Sequence, residues 1–243
     1  VAILTWGPYV TRADAVRPCA SFVRSLGERG ADRERLRRPI GVAVSPEGEV
    51  FVSDAEKHRI AVFDREGAFV REFGIRGNGP GELDRPMHLS FGPDGLLYVA
   101  EYLNDRVSVF RPDGTFAKHI TTNTLDAPAG VVVDGGGVLH VANFYRHQVV
   151  RIAPDGSATS WGQPGRVLPG SLHYPTDVAL APDGSVWVAD AYNNRLQHFV
   201  DGRAKHIVGW GTFGKAFGFR VAVGVGVDAE GRVYGADFDH GMV

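Results

Sequence analysis

A single cysteine, Cys19, excludes an internal disulfide framework, and with no acidic and basic pair arranged around it the thiol reads as unreactive. No apolar run approaches the roughly 18 to 20 residues that a bilayer-spanning helix needs. Excess charge of one sign is missing too: a formal net charge of −2 over 243 residues argues against nucleic acid or an anionic membrane as partner. Lysine supplies only four of 26 basic residues, a bias that points to a GC-rich, bacterial genome. No G-x-S-x-G, H-E-x-x-H or C-x-x-C occurs, so no motif names a nucleophile with its base. Helical signals are nearly absent; residues 31–38 could make one turn, and their place between two repeats favours a loop. What is plentiful is turn chemistry, with 32 glycines and 14 prolines beside 44% hydrophobic residues, the composition of a soluble all-β domain.

A stretch of about sixteen residues occurs five times: PIGVAVSPEGEVFVSD (39–54), PMHLSFGPDGLLYVAE (86–101), PAGVVVDGGGVLHVAN (128–143), PTDVALAPDGSVWVAD (175–190) and AVGVGVDAEGRVYGAD (222–237). The turn glycines Gly48, Gly95, Gly137, Gly184 and Gly231 recur at intervals of 47, 42, 47 and 47. Val42, Val44, Val50 and Val52 alternate with small or polar neighbours, the period of two of a strand. SPEG, GPDG and APDG between the halves are turn sequences, so each stretch is a β-hairpin. A second hairpin follows in RIAVFDREGAFVREFG (59–74), RVSVFRPDGTFAKHI (106–120) and QVVRIAPDGSATSWG (148–162). Two hairpins make a four-stranded antiparallel sheet that must hide its faces against copies of itself.

The predicted fold is therefore all-β, a single β-propeller domain of four-stranded antiparallel blades. Residues 1–38 form an N-terminal extension and closing strand, 39–85, 86–127, 128–174 and 175–221 are full repeats, and 222–243 is a partial one. FVRSLG (22–27) matches FVREFG (69–74), so residues 20–27 read as an outermost strand that completes the last blade. Alternatively LTWG (4–7), which matches SWG (160–162), is the end of another blade in an incomplete six-bladed ring.

The pattern P-x-G-[VI]-A-V-x-P-x-G-x-[VI]-[YFW]-V-[AS]-D-x-x-N-x-R-[IV]-x-V-F resembles the NHL repeat, most closely where Asp54 leads to Arg59 and Ile60 and where Asp190 leads to Asn194, Arg195 and Leu196. The resemblance covers about residues 20–243. It implies a propeller, most often six-bladed, that serves mainly as a recognition platform for protein or RNA and in a minority of cases as an enzyme.

Comparison of the five copies identifies paired positions. Five residues after the acid at the end of the second strand stands arginine in three copies: Asp54 with Arg59, Glu101 with Arg106 and Asp190 with Arg195. In the third copy both partners are neutral, Asn143 with Gln148, as expected of positions that touch and brace the loop between hairpins. In the fifth copy Asp237 faces Met242, so its carboxylate is expected to be either free or merely near a chain end.

Propeller geometry places the loops between hairpins and the start of each innermost strand on one face of the disc. Ile40 and Gly41, Met87 and His88, Ala129 and Gly130, and Thr176 and Asp177 ring the channel mouth; Glu56, His58, Tyr102, Asp105, Phe144, Tyr145, His147, Tyr192, Phe238 and His240 lie on the loops. The candidate ligand-binding face is His88, Glu101, Tyr102, Phe144, Tyr145, His147, Asp177 and Tyr192. Partners of a protein or peptide kind fit best, a small molecule is the next choice, and no cofactor is needed.

Three enzymatic alternatives use the same mouth. An amidating lyase, suggested by residues 175–195 with Tyr192, requires a zinc-binding histidine directly after the repeat proline, where Ile40, Met87, Ala129 and Thr176 stand. A calcium-dependent lactonase or esterase would draw oxygen ligands from Asp177, Glu101, Asn143 and Asp237, and a virginiamycin-type lyase would use His88 with Glu101. An RNA platform would build on the basic cluster Arg33, Arg35, Arg37 and Arg38, which Asp32 and Glu34 offset. The favoured reading is a non-catalytic, extracytoplasmic bacterial recognition scaffold, periplasmic or secreted.

Overall fold

The computed structural model describes Gly27, residues 34–209, Phe219 and residues 221–238. The first blade is β1 (Pro39–Val44), β2 (Val50–Asp54), β3 (Arg59–Phe63) and β4 (Phe69–Phe73), antiparallel in that order from the inside outward. The second is β5 (Pro86–Phe91), β6 (Leu97–Glu101), β7 (Arg106–Phe110) and β8 (Phe116–Ile120), and the third is β9 (Pro128–Val133), β10 (Leu139–Asn143), β11 (Gln148–Ile152) and β12 (Ala158–Trp161). A two-residue parallel pair, β13 (Gln163–Pro164) with β14 (Ser171–Leu172), closes the connection to the fourth blade. That blade is β15 (Pro175–Leu180), β16 (Val186–Asp190), β17 (Arg195–Val200) and β18 (Arg203–Val208), and β19 (Ala222–Val227) with β20 (Val233–Asp237) forms a fifth, two-stranded sheet.

The molecule is thus an all-β propeller, with four complete blades and one inner hairpin among the described residues. The proposed closing strand at 20–27, except Gly27, lies outside the described residues, as do LTWG (4–7), Cys19, Arg33, His240 and Met242.

The second strands VFVSD, LYVAE and LHVAN are buried along nearly their whole length because neighbouring blades cover both faces. Outer strands such as β4 alternate between half-buried and exposed positions. Innermost strands pack in sequence, β1 on β5, β5 on β9, β9 on β15 and β15 on β19. Between blades one and two, Phe51, Ile60 and Val62 meet Leu89, Val99 and Phe110. Between two and three, Val107 and Val109 meet Val131, Val141 and Val150, and between three and four, Ala142 and Val149 meet Val178, Val188 and Phe199.

A leucine three residues before the repeat proline seals each junction: Leu83, Leu125 and Leu172 are all buried. Leu83 sits so tightly over the end of the preceding blade that a Cβ on Gly74 would come within 2.6 Å of its Cδ1. Gly74 also has φ of +89°, so only glycine turns the chain there without strain.

Candidate functional site

Each group at the end of a blade's second strand accepts a backbone N–H from the segment leading into the same blade. Asp54 accepts from Arg37 at 3.0 Å and Arg38 at 2.9 Å, Glu101 from Asp84 at 2.9 Å, Asn143 from Asp126 at 2.7 Å, Asp190 from His173 at 2.7 Å and Asp237 from Val221 at 3.2 Å. Asp237 is therefore not free, which corrects the sequence expectation: its carboxylate turns inward to Val221. The arginines close these acids off. Arg195 Nε lies 2.8 Å from Asp190 and Arg106 Nε 2.7 Å from Glu101, while Arg59 approaches Asp54 at 3.5 Å and also bonds Glu72. Asn143 and Gln148 face each other in register, but the Asn143 amide donates instead to Thr124 O at 2.7 Å.

Glu101 is consequently fully buried, bonded to Arg106, Ser108 and Asn104, and it is not presented on the candidate face. The four proposed calcium oxygens are not gathered: Glu101, Asn143 and Asp237 each belong to a different blade's strand end, and Asp177 lies in the channel. Among the described residues no group of three His, Cys, Asp or Glu lies close enough to hold a metal ion.

The loops do bring the aromatic candidates together. Tyr102 packs on Phe144 at 5.6 Å and on Tyr145 at 5.7 Å, Phe144 on Tyr145 at 5.2 Å, and Phe144 reaches Tyr192 at 6.4 Å. Two residues that the sequence reading did not name as site residues complete the patch. Tyr174 sits 4.7 Å from Phe144, 4.9 Å from Tyr192 and 4.4 Å from His147, and His173 stacks on His147 at 5.3 Å. The repeat would have found them, because they immediately precede Pro175, at the same rim as the loops.

Seven rings from three blades thus form one continuous surface, on which Tyr145 is 52% and Tyr192 58% exposed. The rings meet edge to face or tilted, the arrangement their quadrupoles favour. Burial, and then the Tyr145 phenol beside it, push the Tyr102 hydroxyl well above the ordinary tyrosine range. His147 accepts the Tyr174 N–H through Nδ1 at 3.0 Å, and burial followed by the charge of His173 lowers its pKa.

His88 and Asp177 lie apart from the patch, in the central channel, with Nδ1 3.3 Å from Oδ2. His88 pairs with this acid and not with Glu101.

Blades of antiparallel strands packed face to face around a channel, with an interhairpin loop and an interblade connection meeting at each blade start, define a β-propeller of the repeat-built type. Two of its repeats match the NHL repeat model, over residues 36–63 and 172–199, in the first and fourth blades. No curated protein matches by sequence.

Among solved structures, the chain is similar to virginiamycin B lyase from Staphylococcus aureus, at 19% identity and a TM-score of 0.62, covering 82% of this chain and 63% of that one. It is also similar to a gluconolactonase from Xanthomonas campestris, at 16% identity and a TM-score of 0.62 over 83% of this chain and 70% of that one. A nidogen/laminin complex includes a chain matched at 18% identity and a TM-score of 0.64, over 83% and 72% respectively. At under 20% identity these likenesses concern the fold alone.

Proposed function

We propose that the protein is a recognition platform that holds a protein or peptide segment on the aromatic patch of Tyr102, Phe144, Tyr145, Tyr174 and Tyr192. The observation that carries this reading is the continuity of the patch across three blades, with its outermost tyrosines half exposed. Tyrosine supplies large contact area at low entropic cost together with a hydroxyl for the partner's backbone, which suits an extended segment bearing apolar side chains. The strand-end carboxylates of Glu101 and Asp190 are occupied by backbone N–H groups and arginines. An RNA platform is less favoured, because Arg146 beside the patch already pairs with Asp126 at 3.0 Å. The lactonase and lyase alternatives would act at the channel mouth, where Ile40, Met87, Ala129 and Thr176 follow the repeat prolines.

Peptides selected from a random display library provide the test. Tyr145→Ala and Tyr192→Ala are expected to weaken their binding at least about tenfold each, as central aromatic contacts do, with the circular dichroism spectrum unchanged. Tyr234→Ala, on the fifth sheet, is expected to leave binding intact. Selected peptides that bind all three variants equally would move the site off this face.

A further inference from the structure

The second residue after each blade's start is Gly41, His88, Gly130, Asp177 or Gly224, three without side chains and two with ionisable ones. The backbones crowd there: a Cβ on Gly41 would lie 2.7 Å from His88 Cα, and one on Gly130 would lie 2.6 Å from Asp177 Cα. Because Gly130 contributes no side chain, His88 of the second blade reaches across the third to Asp177 of the fourth, Nδ1 to Oδ2 at 3.3 Å. The fifth sheet meets the same oxygen, through the Val225 N–H at 3.0 Å. A Cβ on Gly224 would sit 3.6 Å from His88 Cε1, an ordinary contact, so the fifth sheet borders the ring directly.

A carboxylate oxygen can only accept, so Nδ1 carries a proton toward Asp177, and in the neutral form of the ring the lone pair is on Nε2. Among the described residues His88 has no partner besides Asp177. The pair borders a cavity of about 250 Å³ whose other walls include Val42, Leu89, Val131 and Val225, and no further ionisable side chain lines it. Burial pushes the Asp177 carboxyl up, against the opposing pull of His88 and of the Val225 and Val178 N–H groups. A cavity of mixed lining, with valine and leucine walls beside the Ser90 hydroxyl, a carboxylate and an imidazole nitrogen, complements a hydrogen-bond donor carrying positive charge and repels an anion.

We propose that the central channel is a binding site for a small apolar amine whose ammonium group donates to Asp177 and to His88 Nε2. This site is separate from the aromatic patch and stands whether or not the patch holds a peptide.

Fluorine NMR with 4-fluorobenzylamine, and with 4-fluorobenzoate as the charge-reversed probe, tests it on the full chain. Near neutral pH the amine is expected to give saturable broadening, with the benzoate at least about tenfold weaker. Asp177→Asn, which keeps an acceptor for Val225, is expected to lower amine affinity about tenfold or more. Should that variant fail to fold, the wild-type pH series decides: acid protonates the Asp177 carboxylate, whose pKa burial raises, so amine affinity is expected to fall as the pH is lowered. The proposal is overturned by absence of saturable amine binding to the wild type, by benzoate binding as tightly, by an unchanged affinity in folded Asp177→Asn, or by pH-independent amine binding.

Discussion

Asp190 shows what a single strand-end acid does in this fold. One oxygen takes the His173 N–H, and the other takes Asn193 Nδ2 at 2.8 Å, Arg195 Nε at 2.8 Å and Gln197 Nε2 at 2.8 Å, in full burial. Arg195 then carries the tie outward, to Ser171 O at 2.7 Å and to the carbonyls of Val167 and Leu168. Arg106 does the same toward Asn78 O at 2.6 Å and Glu82 O at 3.1 Å. The third blade is the exception, and its 42-residue interval explains it: the connection before it is five residues shorter than in the 47-residue repeats. It lacks the stretch whose carbonyls the arginines reach elsewhere, so Gln148 replaces arginine and neutral Asn143 avoids an uncompensated buried charge. Asp190→Ala is expected to cost about 3–5 kcal/mol, read from the urea midpoint, because it removes the buried carboxylate that balances the Arg195 charge. Asn143→Asp is expected to destabilise in the same assay, and adding Gln148→Arg is expected to recover only part of the loss. A fully stable Asn143→Asp variant would sink the charge argument.

At the scale of elements, the junction between blades is a repeated unit. The loop between hairpins carries a left-handed residue at the same place each time, His58, Asp105, His147 and Asn194, with φ between +49° and +56°. Three of their side chains accept the N–H of the residue before the next blade's proline: His58 from Arg85 at 3.2 Å, Asp105 from Ala127 at 2.7 Å and His147 from Tyr174 at 3.0 Å. The buried leucine fills the space behind that bond. Leu83→Ala is therefore expected to cost about 2–5 kcal/mol in chemical denaturation, with a single transition, because it opens a cavity between two sheets. Gly74→Ala is expected to destabilise through strain at the same junction. Either variant with a wild-type midpoint would show that the junction can collapse around the change.

At the scale of the whole molecule, four histidines among the described residues, His119, His140, His147 and His198, have their pKa lowered, in each case first by burial. In the unfolded chain a histidine titrates near about 6.5. As pH falls through that value the unfolded state takes up protons before the folded one does, so stability is lost between the unfolded and folded pKa values. Asp177, whose carboxyl is raised, works the opposite way, since acid relieves the cost of its buried charge. With four groups against one, the calorimetric Tm is expected to be lower at pH 5.5 than at pH 7.5, and His147→Gln is expected to shrink the drop. A Tm that rises in acid would contradict this.

Fold class was legible in the sequence because a blade is a local object: two hairpins with period-two strands, glycine turns and a 47-residue interval need no long-range information. Tyr102, Phe144, Tyr145 and Tyr192 were legible as a face because repeat register alone places their loops at one rim. Tertiary structure decided the rest. It brought His173 and Tyr174 under those loops, enclosed Glu101 behind Arg106, turned Asp237 toward Val221, and set His88 against Asp177 rather than Glu101. The physical reason is that repetition specifies where a residue stands within its own blade. What it touches depends on side chains reaching in from neighbouring blades and on the glycines that leave them room.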